Sequence, residues 1–311
     1  MDEKPVMTKL KVAAAQYDIS FFEQWSEFAD KLTHWVSLAA QQQAKLLVLP
    51  EYGSMELPSL FGEKVYKDLN GQLHAMQTVY PEWQALHKEL ARQFDVLILG
   101  STYPVLQDDG SFRNRANLYG PDGLIDYQDK LIMTRFENEQ WLVKAGNDIK
   151  VIDTDIGKIG INICYDSEFP LIARQQVAAG ADLILVPSCT DTEAGFHRVR
   201  IGCQARALEN QCYVIQSPTF GEAAWSEAVD VNTGIASIYT PVDYGFPDNG
   251  ILVEGSHNQA EWVYADLDLA EIARVRQEGQ VFNYRDWEKQ AALNSPLFTT
   301  DNVIELVSND R

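Results

Sequence analysis

Four short runs, "KLLVLPE" (Lys45–Glu51), "VLILGS" (Val96–Ser101), "DLILVPS" (Asp182–Ser188) and "CYVIQSP" (Cys212–Pro218), are apolar at nearly every position. A strand with one wet face alternates apolar and polar residues, so unbroken runs like these belong to strands covered on both sides. Each run follows a stretch with helical signals. In Glu23–Gln43 the residues Trp25, Phe28, Leu32, Trp35 and Leu38 recur at three- and four-residue steps. Helices are likewise expected over Pro81–Phe94, Pro170–Ala179 and Phe196–Asn210. Buried strands alternating with helices predict an α/β domain.

Further strands are expected at "LKVAAAQYD" (Leu10–Asp18), "GIASIYTPVD" and "EWVYADLD". Two hairpins are expected as well. "RANLYGPDGLIDYQDK" turns at Gly120-Pro121-Asp122-Gly123, and "IKVIDTDIGKIGINICYD" turns near Asp155 to Lys158. The stretch Thr219–Gly255 is rich in Gly, Asp, Asn and Pro and reads as long surface loops. No linker, repeat or low-complexity tract interrupts the pattern, so residues 1–311 are expected to form a single domain. Its core spans about 8–270, with a C-terminal extension over about 271–311.

Hydrophobic residues at 46% and charged residues at 23% allow a substantial core. The 25 Lys and Arg against 45 Asp and Glu leave a net charge of −20, which disfavours phosphate backbones and anionic lipid. The expectation is therefore no nucleic-acid partner and no membrane partner. The four cysteines, Cys164, Cys189, Cys203 and Cys212, fall in no C-x-x-C pair and no zinc spacing. No metal site, phosphate loop or dinucleotide fingerprint is legible, and no cofactor is implied. Met1–Leu10 has no apolar signal core, and no run reaches transmembrane length. A reducing, cytoplasmic location is expected.

Cys164 stands apart from the other three cysteines. In "GINICYDSEFP" (Gly160–Pro170) it sits where a strand gives way to turn residues and then to Pro170 at a helix start. Most free cysteines are packing residues, and this segment alone favours that reading. A nucleophilic thiol needs a base or a cation beside it. Of the five histidines (His34, His74, His87, His197, His257) only His197 stands near a strand end. Two other groups do so too: Glu51 closes "LLVLPE", and Lys130 closes "GLIDYQDK". An acid closing a buried strand is costly unless paired or used. Strand ends of open α/β sheets gather ligand sites, and these three offer a base, a cation and a thiol.

With those residues in view the chain resembles the nitrilase, or carbon–nitrogen hydrolase, superfamily, which is known by a Glu-Lys-Cys triad in this order. The matching segments are "LLVLPEYG" with Glu51, "DYQDKLIM" with Lys130 and "GKIGINICYDSEFPLIARQQVAAGADLILVPS" with Cys164. "RALENQCYVI" (Arg206–Ile215) is similar to a further family segment, and the resemblance runs from about Leu10 to about Leu267. It implies a four-layer αββα sandwich and an amidase-like enzyme acting on a non-peptide C–N bond of a small amide. It further implies that Cys164 attacks the carbonyl, that Glu51 moves the proton, and that Lys130 and the Tyr165 N–H hold the oxyanion. A second glutamate is expected to position substrate or lysine; Glu139 fits best, seven residues before Gly146, ahead of Glu137. A homodimer or higher homo-oligomer, paired through Pro170–Ala179 and Phe196–Asn210, is also implied. Ile172, Val177 and Ala178 suit either a core or that interface.

Subfamily cues point to amides over nitriles, because Tyr165-Asp166 follows the cysteine where nitrilases usually carry Trp-Glu. A nitrile or an N-carbamoyl compound is the alternative substrate, and a non-catalytic binding protein that keeps the fold is the more distant alternative. The family's usual His-Trp after "VPS" is here His197-Arg198.

Overall fold

The computed structural model of the chain describes residues 9–141 and 143–293. The part of the expected C-terminal extension beyond 293 and most of Met1–Leu10 therefore lie outside the described residues.

Two sheets stand face to face. The first orders its strands β14(Glu261–Asp268)-β1(Lys9–Asp18)-β2(Leu46–Val48)-β3(Leu97–Leu99)-β5(Phe112–Gly120)-β6(Gly123–Asp129), with β4(Tyr103–Leu106) also paired to β5. The second runs β13(Ile251–Glu254)-β12(Ser237–Tyr239)-β10(Tyr213–Glu222)-β9(Leu183–Ser188)-β8(Gly157–Ile161)-β7(Ile152–Thr154). A short strand β11(Val231–Asn232) pairs with the end of β10. The sheets join where Tyr17 and Asp18 of β1 pair with Thr219 and Phe220 of β10.

The continuously apolar runs are buried on both faces because each sheet has a partner on both. Leu10, Val12 and Ala14 of β1 face the inter-sheet core with Leu46, Val48 and Leu118. The alternate residues Ala13, Ala15 and Tyr17 pack outward against Phe28, Leu32, Trp35 and Val36 of α1(Trp25–Gln41). Two short helices, α2(Glu63–Tyr66) and α3(Gly71–Met76), lead to α4(Tyr80–Phe94), which packs on the same outer face through Trp83, Leu90 and Ala91. After α5(Arg135–Glu139), the helices α6(Pro170–Ala178) and α7(Glu193–Asn210) cover the second sheet. The order helix, sheet, sheet, helix is the αββα sandwich. α8(Leu269–Glu278) buries Leu269, Ile272 and Val275, and α9(Asn283–Asp286) follows. Among the described residues no helix is long and apolar enough to cross a membrane.

Three local differences from expectation have physical causes. α7 begins at Glu193 rather than Phe196 because Thr192 caps it, its Oγ1 accepting from Gly195 N at 3.1 Å. The stretch Thr219–Gly255 is not simply surface loop. β10 runs on to Glu222 and β11, β12 and β13 lie within the stretch, where Ala236, Ser237, Ile238 and Tyr239 are fully buried. Pairing with β10 and the bond from Ala236 N to Gln16 Oε1 (2.8 Å) satisfy backbone that a buried loop would leave unpaired. Ile172 and Val177 belong to the core, whereas Leu171, Ile201 and Leu208 of α6 and α7 are exposed.

A polar knot braces the segment that follows Glu51. Glu56 is fully buried in the 3-10 stretch Gly53–Phe61 and accepts from Lys31 Nζ (2.6 Å), Tyr17 Oη (2.8 Å) and Ser20 N (2.8 Å). Burial raises its pKa to about 7, with Lys31 pulling the other way. Removing one partner of a buried ion pair is costly while the other stays charged. Lys31→Met should lower stability by about 3 kcal/mol at pH 8 in chemical denaturation. An acid raised in the folded state favours folding at low pH and loses that contribution as pH rises through its folded value. The loss should therefore shrink toward pH 5, where Glu56 is protonated; an equal loss at both pH values would refute a charge-based role.

Candidate active site

Strand ends from both sheets converge at one end of the sandwich. Ser217 Oγ on β10 donates to the carbonyls of Ala15 (2.7 Å) and Val48 (2.9 Å), and Thr219 Oγ1 donates to that of Glu51 (2.6 Å). These bonds tie carbonyls of β1, β2 and the chain just after β2 to the second sheet. Tyr52, at φ 55°, then turns the chain sharply, its N–H donating to Thr102 Oγ1 at 2.9 Å. Glu51 is thereby fixed at the floor of the site with 1% exposure.

Lys130 directly follows β6, its N–H donating to Asn114 O at 2.9 Å in continuation of the hairpin ladder. Cys164 follows β8 at φ 48°, a left-handed conformation that a residue with a Cβ adopts only under constraint. Asp166 supplies part of that constraint. Its carboxylate accepts from the N–H groups of Ile163 (3.2 Å), Leu131 (3.1 Å) and Ile132 (2.8 Å), joining the cysteine elbow to the chain after Lys130. Burial raises Asp166 to about pKa 7, against the pull of Lys130 and these N–H groups. From the other side α7 closes on the elbow. Arg206 Nη1 donates to Ser167 O at 2.9 Å, and a Cβ on Gly202 would lie 2.8 Å from that same oxygen. Arg206 also pairs with Glu209 at 2.6 Å, so it does more than form a helical pair.

The side chains so delivered form one buried cluster. Lys130 Nζ donates to Glu51 Oε1 at 2.7 Å and to both oxygens of Glu137 at 2.9 Å. Glu137 also accepts from Tyr52 Oη (2.6 Å), Thr134 N (2.8 Å) and Thr134 Oγ1 (2.8 Å). The Cys164 thiol donates to the carbonyl oxygen of Cys189 at 3.6 Å and neighbours Glu51, whose proton affinity it lowers. Glu51, Lys130 and Cys164 are thus together. Glu139 is not with them: it is exposed and pairs with Arg135 at 2.8 Å. The second glutamate of the cluster is Glu137, because α5 places residues 137 and 139 on different faces.

The four groups shift in different directions. Burial raises Glu51, with Lys130 opposing and the charge of Glu137 adding to the rise. Burial also works on Glu137, but Lys130 and Tyr52 outweigh it and hold this carboxyl below its usual range. Burial opposes charge on Lys130, yet Glu137 and Glu51 keep its ammonium well above the ordinary lysine value. Burial and then Glu51 push the Cys164 thiol well up. The resting cluster therefore holds a neutral thiol beside a carboxylate with raised proton affinity, next to a fixed positive charge.

Above this floor opens a cleft of about 550 Å³, lined by Phe136, Trp141, Tyr165, Cys189, Val229 and Asn232 among others. Cys164 lies just beneath the lining at 4% exposure. Arg198, at the position where the resemblance led one to expect tryptophan, stands at the mouth 3.6 Å from Glu168. His197 is exposed and does not line the cleft. Cys203 and Cys212 are core residues, whereas Cys189 reaches the cleft, its thiol 3.0 Å from Asn232 Oδ1. All four cysteines are free. Tyr52, Asn114 and Asn232 joined the site without having been singled out in the sequence, and Asp166 had been noted only as a subfamily cue. Only Glu137 had a local signal that went unused, the Thr134-x-x-Glu137 capping box.

Comparison with known proteins gives the same ordering of motifs a family. Residues 11–277 match the family model for carbon–nitrogen hydrolases. The probable hydrolase YhcX of Bacillus subtilis is 35% identical over 279 residues, covering 89% of this chain and 53% of that protein, so the chain spans about half its length. The human omega-amidase NIT2 is 25% identical over 296 residues, covering 90% of this chain and 96% of its own. In three dimensions the fold is shared with yeast Nit3 of the nitrilase superfamily, at TM-score 0.70, 24% identity and coverage of 89% and 96%. A match of this extent, over a sandwich whose strand ends gather a carboxylate, an ammonium and a thiol, assigns the chain to the carbon–nitrogen hydrolase family.

Proposed function

We propose that this chain hydrolyses the C–N bond of a small amide through an acyl-enzyme on Cys164, releasing ammonia. The observation that carries the reading is the meeting of the Cys164 thiol with Glu51 and Lys130 at the floor of the cleft, both charged groups buried and mutually paired. Glu51 takes the thiol proton as sulfur attacks the carbonyl carbon. The negative charge moves from carboxylate to sulfur and on to the carbonyl oxygen, where Lys130 and the N–H of Tyr165 receive it. Preorganised donors of this kind are worth about 3 kcal/mol each in the transition state. Glu51 then passes its proton to nitrogen, ammonia leaves, and a thioester remains. Water attacks the thioester, Glu51 takes one of its protons, and the C–S bond breaks to release the acid and restore the thiol.

Glu137 keeps Lys130 charged and oriented. A cleft of about 550 Å³ suits a small molecule. Free thiols throughout fit a reducing, cytoplasmic setting. Amides are favoured over nitriles by the Tyr165-Asp166 pair after the nucleophile.

Cys164→Ala should reduce ammonia release from small primary amides by on the order of a thousandfold with the fold retained. Matched amides, nitriles and carbamoyl compounds assayed together check the bond type: nitrile turnover equal to or above amide turnover would move the chain to the nitrile reading. Retention of a tenth of the activity would remove Cys164 as nucleophile.

The two glutamates of α5 should separate cleanly. Glu137→Gln should lower kcat by about a hundredfold, since it leaves Lys130 short of a buried counter-charge. Glu139→Gln should stay within about twofold, as exposed pairs contribute little. The opposite ranking would return the role to Glu139.

The chain is further proposed to form a homodimer through α6 and α7. Leu171 and Ile201, at 62% and 64% exposure, and Leu208 put apolar surface on these helices, beside a hollow of about 350 Å³. Light scattering should give a dimer for the wild type and a monomer for Ile201→Asp; a monomeric wild type at all concentrations would refute the proposal.

A further inference from the structure

Glu51 Oε1 receives two donors, Lys130 Nζ at 2.7 Å and Asn114 Nδ2 at 2.8 Å. The second has no place in the proposed chemistry so far. Asn114 lies on β5 with no solvent exposure, and its backbone carbonyl accepts from Lys130 N at 2.9 Å. One residue therefore touches two members of the triad, holding the base with its side chain and the cation's strand with its backbone. Its own Oδ1 has no hydrogen-bond partner among the described residues, although it is buried. A buried amide that leaves its acceptor unmatched is oriented by its donor, and the donor points at the carboxylate.

We propose that Asn114 is a positioning residue that decides which oxygen of Glu51 carries the proton. With Lys130 and Asn114 both on Oε1, that oxygen is committed as an acceptor. Oε2 is left as the atom that takes the proton from Cys164 Sγ and later returns it to nitrogen. Asn114 also stabilises the ionised form of Glu51, because its N–H bonds a carboxylate oxygen more strongly than the carbonyl oxygen that Oε1 becomes once Oε2 is protonated. The other ionisable groups facing Glu51 are Lys130 from β6, Glu137 from α5, Cys164 from the elbow, Cys189 from the end of β9 and the neighbouring Tyr52. Asn114 is a neutral donor among these charged and acidic neighbours, so it favours the carboxylate without altering the charge of the cluster.

This inference rests on the amidase reading only for its kinetic readout, and the test separates the two. In Asn114→Leu, nearly isosteric and without the donor, the Glu51 carboxylate loses a charge-assisted bond. The acid limb of kcat/KM should then move up by about one pH unit, a roughly tenfold loss below the limb, with a smaller change at its plateau. Asn114→Asp should move it in the same direction and further, since a second acid replaces the donor. Alkylation of Cys164 by iodoacetamide, followed against pH by mass spectrometry, needs no amide turnover and should show the same displaced limb. A readout on the wild type guards against misfolded variants. With asparagine labelled by ¹⁵N, the Asn114 side-chain amide should titrate with the midpoint of the alkylation limb and lose that titration in Glu51→Gln.

If folded variants hydrolyse amides with an unmoved limb, or if the Asn114 amide does not titrate, the positioning role is wrong and the amidase reading stands. If no amide is hydrolysed by the wild type while the alkylation limb moves, the amidase reading fails and the positioning role stands.

Discussion

One ammonium held between two carboxylates, all at 3% exposure or less, is the constraint on which the rest of this structure depends. Each ion alone in such a place is costly by several kcal/mol, and their attraction offsets this only when distances are short and the remaining lone pairs are bonded. Lys130 therefore needs Glu51 and Glu137 in fixed places, and each carboxylate needs its further donors. Glu137 obtains them from Tyr52 and Thr134, and Glu51 from Asn114, with the Cys164 thiol beside it. These partners come from β2, β5, β6, α5 and the elbow after β8. A loosely packed fold could not hold five elements to hydrogen-bond tolerance.

The sandwich supplies that rigidity through its burial. Both faces of β1, β2 and β9 are covered, and the two sheets are joined at the end where the cluster sits, by the Tyr17–Thr219 pairing and by the hydroxyls of Ser217 and Thr219. Close packing lets a side chain on one sheet fix the carbonyl of another strand to within a few tenths of an ångström. The strained elbow at Cys164 persists for the same reason. Asp166 and Arg206 grip the segment around it from opposite sides, and Gly202 removes the side chain that would hold α7 away.

Much of this was legible in the chain. The apolar runs specified buried strands, Glu51, Lys130 and Cys164 stood out at strand ends, and the family resemblance joined them as a triad. What escaped depended on register and helix phase. Counting back from the Gly120–Gly123 turn places Arg113 opposite Lys130. A bulge between Leu118 and Tyr119 shifts the pairing by one, so that Arg115 meets Asp129 and Asn114 comes level with Lys130. Asn114 faces inward with Ala116 and Leu118 on β5; because side chains alternate with period two, that single slip on β6 brings Lys130 to the same face, and nothing in the composition of the strand announces it. Glu139 was preferred over Glu137 by its distance to Gly146, a spacing through non-helical chain. The physical determinant was Thr134, whose capping bond starts α5 and sends Glu137 back over the helix start toward Lys130. The loops after Thr219 were misjudged because glycine and proline marked turns correctly while saying nothing of the strands between them.

The opposed shifts of the two carboxyls fit the roles proposed for them, without reference to any relative. Glu51 and Glu137 share one ammonium at nearly equal distance, so their difference lies in the remaining partners. Glu137 is surrounded by donors on both oxygens and is held low; it stays charged and has no open lone pair from which to take a proton. Glu51 receives Lys130 and Asn114 on Oε1, burial raises its proton affinity, and in the proposed step its second oxygen takes the proton from sulfur. When two neighbouring acids are pushed apart in this way, the raised one is the proton carrier and the lowered one the fixed counter-charge. Moving the proton from Cys164 to Glu51 changes neither the total charge of the cluster nor its burial. In the proposed step it relocates one negative charge from carboxylate to the neighbouring sulfur beside Lys130, so a thiol that burial holds protonated need not remain unreactive.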